Sequence, residues 1–311
     1  MGEGNLPFSV DLPIRICQYD IKENLMSLTK QQLKDRRQGL FGTDASMADG
    51  TNAYHDGYWL YKTKRGEWSD VLAPAIHLEL GHELENYVAL GYCKRKKKRV
   101  RRCNRTIWNK KHLYDGKPFL GSHVDRMVIG EKKILECKTA YGRNKWGKDG
   151  SGDIPLNYRS QIKHYCLVLG LHKVDLAVLF LPYPPSLEVH SFDFSSMELD
   201  ALLEKEYHMW DCIQRGIEPE VGGTMATNLK LREDFSGSED ELVVSTQGIN
   251  KAVKRLNTVK SGIKKLTDEK LKYANRIIHH MKENETLVDH QGEFIATFKS
   301  DSKGVRKLLT K

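Results

Sequence analysis

Asp125, Glu136 and Lys138 lie in two short runs with strand character, Leu120–Ile129 and Lys132–Thr139, separated by Gly130 and Glu131. A Gly in the first central position suits a type II′ hairpin turn. In the register set by that turn, Asp125 faces Glu136 and His123 faces Lys138. Directly opposed residues hold their Cβ atoms about 5 Å apart, and the two-residue strand period places Lys138 beside Glu136 on the same face. Val124, Leu135 and Cys137 then point the other way, into a core. Two carboxylates this close repel unless one is protonated or a cation lies between them. Oxygen ligands beside a Lys favour a hard dication, Mg²⁺ or Mn²⁺, over zinc. A solvated hairpin face with a Glu136–Lys138 ion pair is the alternative that this stretch alone leaves open.

The elements that must position these groups follow from pattern. Residues 25–37 predict a helix with Ser27 or Thr29 as cap and Gly39 as stop. The next stretch, GLFGTDASMADG, reads as a Gly-rich turn beside Arg36 and Arg37, able to cradle a phosphate or to serve as an ordinary helix end. Ala73–Leu90 predicts an amphipathic helix carrying Leu80, Leu84, Tyr87 and Val88 on one side. Glu79 and Glu83 belong to its solvated stripe, whereas Glu85 leans towards the apolar side, where a carboxylate is costly unless paired or metal-bound. The run that follows (Lys94, Arg95, Lys96, Lys97, Lys98, Arg99, Arg101, Arg102) is broken only by Val100. Such charge density needs solvent or a polyanion, and it reads as a phosphate-binding flap.

Residues 141–153 form a Gly-rich basic loop, expected to be mobile. Pro155 opens a helix ending at Gly170 that places Tyr158, Gln161 and Tyr165 on one face. Val174–Leu181 predicts a strand buried on both sides, and Val189–Phe194 another. Ser195 and Glu198 make a capping box for a helix reaching Gly216. These elements give an α/β class with a mixed central sheet flanked by helices. The division is a core over residues 1–216, a polar linker or long loop over 217–240, and a helical C-terminal region over 241–311. There Ile249, Val253, Leu256, Val259, Ile263 and Leu266 recur at threes and fours, predicting one long helix or a pair broken near Thr267, packed in coiled-coil fashion on the core. A closing hairpin turns at Gly292.

The 311 residues, 39 % hydrophobic and 29 % charged, suffice for a large core, and no apolar run approaches the roughly 20 residues of a membrane span. The first residues lack a leader pattern, and Leu6 stands where myristoylation wants Ser or Thr, so a cytoplasmic location is expected. Six cysteines without a C-x-x-C pair suggest neither a zinc ribbon nor a disulfide framework. The net charge of +9 points to a polyanionic partner.

Asp125, ten residues, Glu136, one residue, Lys138 resembles the PD-(D/E)xK nuclease signature. The ordered set RRQGLFGTDAS, GHELENY, PFLGSHVDRMV, ILECKT and NYRSQIKHY, over residues 36–181 with the following strand, is similar to the YqaJ-type viral recombinases, near lambda exonuclease. The resemblance implies Mg²⁺ (or Mn²⁺) held by Asp125, Glu136, Glu85 and the carbonyl of Cys137. It also implies that Lys138 positions the attacking water, that Gln161 borders the active site, and that Arg37, with Thr43, grips a 5′-phosphate. Thr43–Asp44 replaces the more usual Ser-Asp, and Val124 replaces the Pro before the catalytic Asp. The implied activity is 5′-to-3′ digestion of double-stranded DNA ends by a ring-shaped homotrimer in a bacterial host cell, with a single-strand annealing protein as partner. An endonuclease or repair nuclease of the same superfamily, or a non-catalytic DNA-binding adaptor, is the alternative.

Overall fold

The computed structural model describes residues 30–69, 76–103, 105–238 and 240–311. In chain order, α1 (Lys30–Arg36), α2 (Gly42–Ala48), α3 (Gly57–Lys64) and α4 (Ile76–Lys96) precede the short strands β1 (Val100–Arg102), β2 (Ile107–Trp108), β3 (Leu113–Tyr114), β4 (Lys117–Pro118) and β5 (Gly121–Ser122). Next come β6 (Arg126–Val128), β7 (Lys133–Ala140), α5 (Leu156–Leu169), β8 (Lys173–Phe180), β9 (Ser186–Asp193), α6 (Ser196–Arg215) and α7 (Met225–Asp234). The chain ends with α8 (Gln247–Met281), β10 (Thr286–Val288), β11 (Phe294–Ser300) and β12 (Arg306–Thr310). The proposed caps Ser27 and Thr29, the N-terminal residues and 73–75 lie outside the described residues.

The class is α/β, with a mixed five-stranded sheet in the order β1-β6-β7-β8-β9. Only β7 and β8 are parallel, and α5 supplies the crossover that parallel neighbours need. β8 is buried from its second residue to its last, which explains its unbroken apolar text. Odd positions of the central strands (Leu135, Cys137, Ala177, Leu179) meet Val88, Ala89 and Tyr92 of α4. Even positions (Ile134, Leu176, Val178) meet Ile162, Tyr165 and Cys166 of α5. α5 ends at Gly170 in the left-handed region, and α6 opens on the Ser195–Glu198 capping box, both as the sequence predicts.

Several expectations are corrected. The first hairpin strand is much shorter than Leu120–Ile129: Arg126 and Met127 pair with Leu135 and Ile134, while Gly121 and Ser122 leave to pair with Trp108 and Ile107. The register is nevertheless the expected one, so Asp125 adjoins the ladder across from Glu136. The turn is shifted by a residue, closed from Glu131 N–H to the Val128 carbonyl with Gly130 at φ +83°, a left-handed value that Gly adopts freely. The break after Ser122 sends Val124 to the α5 side rather than to that of Leu135 and Cys137. The Gly-rich stretch after Gly39 contains α2. Residues 217–240 contain α7, which the polar text hides because it is fixed by polar contacts: Asp56 accepts from the Thr224 and Thr227 hydroxyls (2.8 Å each), and the Trp68 indole donates to Asp234 (2.7 Å).

The basic run is no flap. Lys94, Arg95 and Lys96 form the last turn of α4, where cations suit the helix dipole. Lys97 turns the chain at φ +53°, Lys98 pairs with Glu131, and Arg101 and Arg102 lie on the edge strand β1. The 141–153 loop is irregular but pinned: Trp146 packs on Tyr158 and Phe180, and Asp149 pairs with Arg95 and accepts from Val189 N–H.

The chain parts into two compact units between Ser236 and Gly237. In the second, α8 is one continuous helix of 35 residues, unbroken at Thr267, whose hydroxyl donates to the Ile263 carbonyl (2.8 Å). The closing hairpin is a three-stranded sheet, β10-β11-β12. Arg306 of β12 donates to the carbonyls of Lys282, Glu283 and Asn284, satisfying backbone groups at and just beyond the end of α8.

Candidate active site

β7 carries Glu136 and Lys138 on the face covered by α5. Glu136 is 1 % exposed. Its Oε1 receives the Lys138 ammonium at 2.7 Å and the Gln161 amide at 3.1 Å, and the same amide donates to the Tyr165 hydroxyl at 2.7 Å. Lys138 also lies over the Tyr158 ring, 5.3 Å from its centroid. The α5 face of Tyr158, Gln161 and Tyr165 therefore closes over Glu136 and Lys138. Asp125 reaches the same place from the end of β6, its Oδ2 accepting from Cys137 N–H at 2.8 Å. Burial, and then Glu136, raise the Asp125 carboxyl well above its ordinary range, although Lys138 opposes the shift. Burial works against the charge of Lys138, but Glu136, Tyr165 and Asp125 outweigh it and hold its pKa up.

Glu85 approaches from α4, on the other side of the sheet, near enough to add to the potential at Asp125. Its carboxylate is engaged by the guanidinium of Arg126, which also donates to the Asp125 carbonyl at 2.9 Å. Arg126 is 4 % exposed and shares the α4 face with its ladder partner Leu135. This pairing resolves why Glu85 can lean towards an apolar side. Arg126 was not singled out in the sequence. Its only local signal is a charge at a core-facing strand position, which demands a partner without naming one.

Among the described residues no group of three His, Cys, Asp or Glu side chains converges as a metal site. Asp125 and Glu136 fit a hard dication as a pair. Glu136 Oε2 is buried with no hydrogen-bond partner, and the Asp125 carboxyl is destabilised as an anion by burial and by Glu136.

The Arg36–Arg37 turn is bolted to the segment leading to Asp125. Leu40 N–H donates to the Phe119 carbonyl (2.7 Å) and Gly121 N–H to the Leu40 carbonyl (2.9 Å). Gly39 is required here, since a Cβ would collide with the Phe119 carbonyl and the Trp108 ring. Thr43 is already occupied: its hydroxyl accepts from Arg36 at 2.7 Å. Buried Asp44 accepts from Phe41 N–H (2.9 Å) and pairs with Lys64 (2.6 Å) and, more loosely, Arg36 (3.8 Å). Lys64 also donates to the carbonyls of Arg36 (2.6 Å) and Gly39 (2.9 Å), and nothing local in the sequence marks that role. Arg37 is exposed.

His123 does not face Lys138. It stacks on Phe41 and bonds Thr106 at 3.0 Å, whose hydroxyl donates to Asp35 of α1. Burial, and then Arg36, depress its pKa to about 4. The structure thus joins Asp125, Glu136, Lys138 and Gln161, holds Glu85 beside them through Arg126, and distributes the basic run along the end of α4 and the sheet edge.

Residues 31–172 match the family described as YqaJ-like viral recombinase domain. The Bacillus subtilis (strain 168) protein YqaJ, itself uncharacterised, is 29 % identical over 266 residues, covering 81 % of this chain and 78 % of that one. Solved structures that resemble the chain include the alkaline exonuclease LHK-Exo from Laribacter hongkongensis (13 % identity, TM-score 0.46). Its complex with dAMP gives 14 % and 0.49, each match covering 67 % of this chain and 100 % of that one. A phage-related exonuclease from Haemophilus somnus 129PT follows at 10 % identity and TM-score 0.37, over 60 % and 83 % of the two chains. Residues 31–172, which carry Asp125, Glu136 and Lys138, are thus similar to the YqaJ-like viral recombinase domain.

Proposed function

We propose that this chain is a Mg²⁺-dependent exonuclease that digests double-stranded DNA from a 5′ end and leaves a 3′ single strand for a single-strand annealing protein. The observation that carries the reading is the paired Asp125 and Glu136 with Lys138 fixed between Glu136 and the Tyr158 ring, inside a YqaJ-like domain. In this reading Asp125 and Glu136 would hold the metal with the Cys137 carbonyl, whereas Glu85 would join them only on leaving Arg126. Mg²⁺, or Mn²⁺ in its place, would supply charge neutralisation at the phosphodiester and a lower pKa for the attacking water.

The chain's own groups do the rest. Lys138 keeps its proton and aligns the water as a donor, and Gln161 locks the Glu136 carboxylate against rotation. Arg37, exposed beside the turn anchored at Gly39, takes the 5′-phosphate through its guanidinium fork. Thr43 acts one step back, orienting Arg36. Arg99, Arg101 and Arg102 of the sheet edge, with the cations ending α4, meet backbone phosphates. Assembly as a ring-shaped trimer accompanies this reading and would keep the enzyme on its strand.

The test is digestion of a linear duplex labelled at one 5′ end, beside closed circular duplex, with and without Mg²⁺. Release of the 5′ label from the linear form alone, and only with the metal, is expected. Cutting of the circle would identify an endonuclease instead, and binding without cutting would identify an adaptor.

A further inference from the structure

The first 27 residues of α8 carry a heptad seam that the rest of the second unit leaves bare. Ile249, Leu256, Ile263 and Lys270 take the a positions, and Ala252, Val259, Leu266 and Tyr273 the d positions, with strict three-four spacing. All eight are exposed: Val259, the least so of the large apolar ones, is 42 % accessible and Leu266 is 66 %. Only further along, at Met281, does the helix bury a side chain. A seam of this length in water is unfavourable without a cover.

We propose that α8 pairs with α8 of a second copy of this chain as an antiparallel coiled coil, independently of the nuclease reading. The seam itself selects the partner and the direction. A parallel pair would stack Lys270 on Lys270 in the core and set Arg255 at g against Lys260 at e, two repulsive contacts. Antiparallel pairing in one register removes both. Leu256 then meets Leu266, Val259 meets Ile263, and Ile249 meets Tyr273. Lys270 meets Ala252, whose small side chain leaves room for the lysine stem to run out to water. Arg255 faces Glu269 across the flank, and the twofold symmetry makes that ion pair twice. Lys251, Lys254, Lys264, Lys265 and Lys272 fall on outer b, c and f positions, so the basic character of the helix stays in solvent. Lys260 facing Lys260 is the one like-charge contact this register retains.

At the centre of that register Gly262 faces Gly262 of the second copy, which gives a direct test. Gly262→Cys and Leu266→Cys full-length chains are treated with a short bis-maleimide, with the wild-type chain as the background for native cysteines. Dimer from Gly262→Cys well above wild type, little from Leu266→Cys, and loss of the Gly262→Cys dimer on adding Leu256→Asp and Ile263→Asp is the expected pattern. Circular dichroism on each variant confirms that the helix persists. Cross-linking through Leu266→Cys in preference to Gly262→Cys would overturn the antiparallel pairing. No dimer above wild type from either would overturn self-association and assign the seam to a different partner.

Discussion

Asp125→Asn separates the cost of the active site from its use. Asp125 stands across the ladder from Glu136, where opposed Cβ atoms lie about 5 Å apart. Two like charges at that spacing repel by about 3 kcal/mol at an effective dielectric near 20. Lys138, 2.7 Å from Glu136, cancels part of this, so a net relief of about 1–2 kcal/mol is expected from removing one charge. Asn keeps an oxygen for Cys137 N–H and adds no volume. At roughly 2–4 °C per kcal/mol for a domain of this size, the metal-free variant should melt about 2–8 °C higher than wild type.

The pH dependence has a fixed sign. Burial and Glu136 raise the folded pKa of Asp125 above its unfolded value, so the folded chain holds the extra proton. Wild-type stability therefore falls as pH rises from the ordinary carboxylate range through the folded pKa, and the variant lacks that fall. The gain in melting temperature should be larger at pH 8 than at pH 5. Metal reverses the ranking: a dication at a hundred times its Kd stabilises the wild type by about 2.7 kcal/mol and the variant hardly at all. Scanning calorimetry with and without Mn²⁺ at the two pH values, beside a digestion assay, reads all three effects. A variant that melts lower at both pH values and still gains full stability from Mn²⁺ would refute the carboxylate pairing and the metal site together.

Arg37→Ala should erase a preference for 5′-phosphorylated over 5′-hydroxyl ends with stability within about 0.5 kcal/mol of wild type. Arg36→Ala, which takes a donor from Thr43 and a cation from buried Asp44, should cost about 1–2 kcal/mol in urea, and an unchanged midpoint would remove its structural role. Arg101→Ser with Arg102→Ser should lower the salt slope of DNA binding by about 1.8, two phosphate contacts' worth, and an unchanged slope would return the edge strand to solvent. Glu206→Gln breaks a fully buried pair with His164 (2.6 Å) and should cost about 3–5 kcal/mol near pH 6. Burial opposes the His164 charge, but Glu206 prevails and raises its pKa. The pair's stabilisation is therefore complete below the ordinary His pKa and lost as pH rises through the folded one, a slope the variant should flatten in urea titrations.

The parts legible in the sequence are those whose cause is local. Gly170 and the Ser195–Glu198 box end and begin helices through backbone groups within a few residues, and the apolar text of β8 reports burial on two faces. The Asp125–Glu136 register survives a shifted turn because a two-residue period admits no half-step: moving the pairing by one residue would turn Leu135 outwards and Glu136 into the α4 layer. What the sequence hides are choices between partners far apart in the chain. Glu85 announces that it needs a cation, but Arg126 and a metal are equally acceptable until α4 is laid on the sheet. The basic run announces a polyanion, but the α4 dipole, Glu131 and Asp149 each take a share of it first. α7 announces nothing, because its anchors are Asp56 and Trp68, more than a hundred residues away. The candidate site therefore has two kinds of residue. Asp125, Glu136 and Lys138 carry their chemistry in their spacing, whereas Arg126 and Lys64 acquire theirs only from the fold, and substitutions at the second pair test the architecture that the first three presuppose.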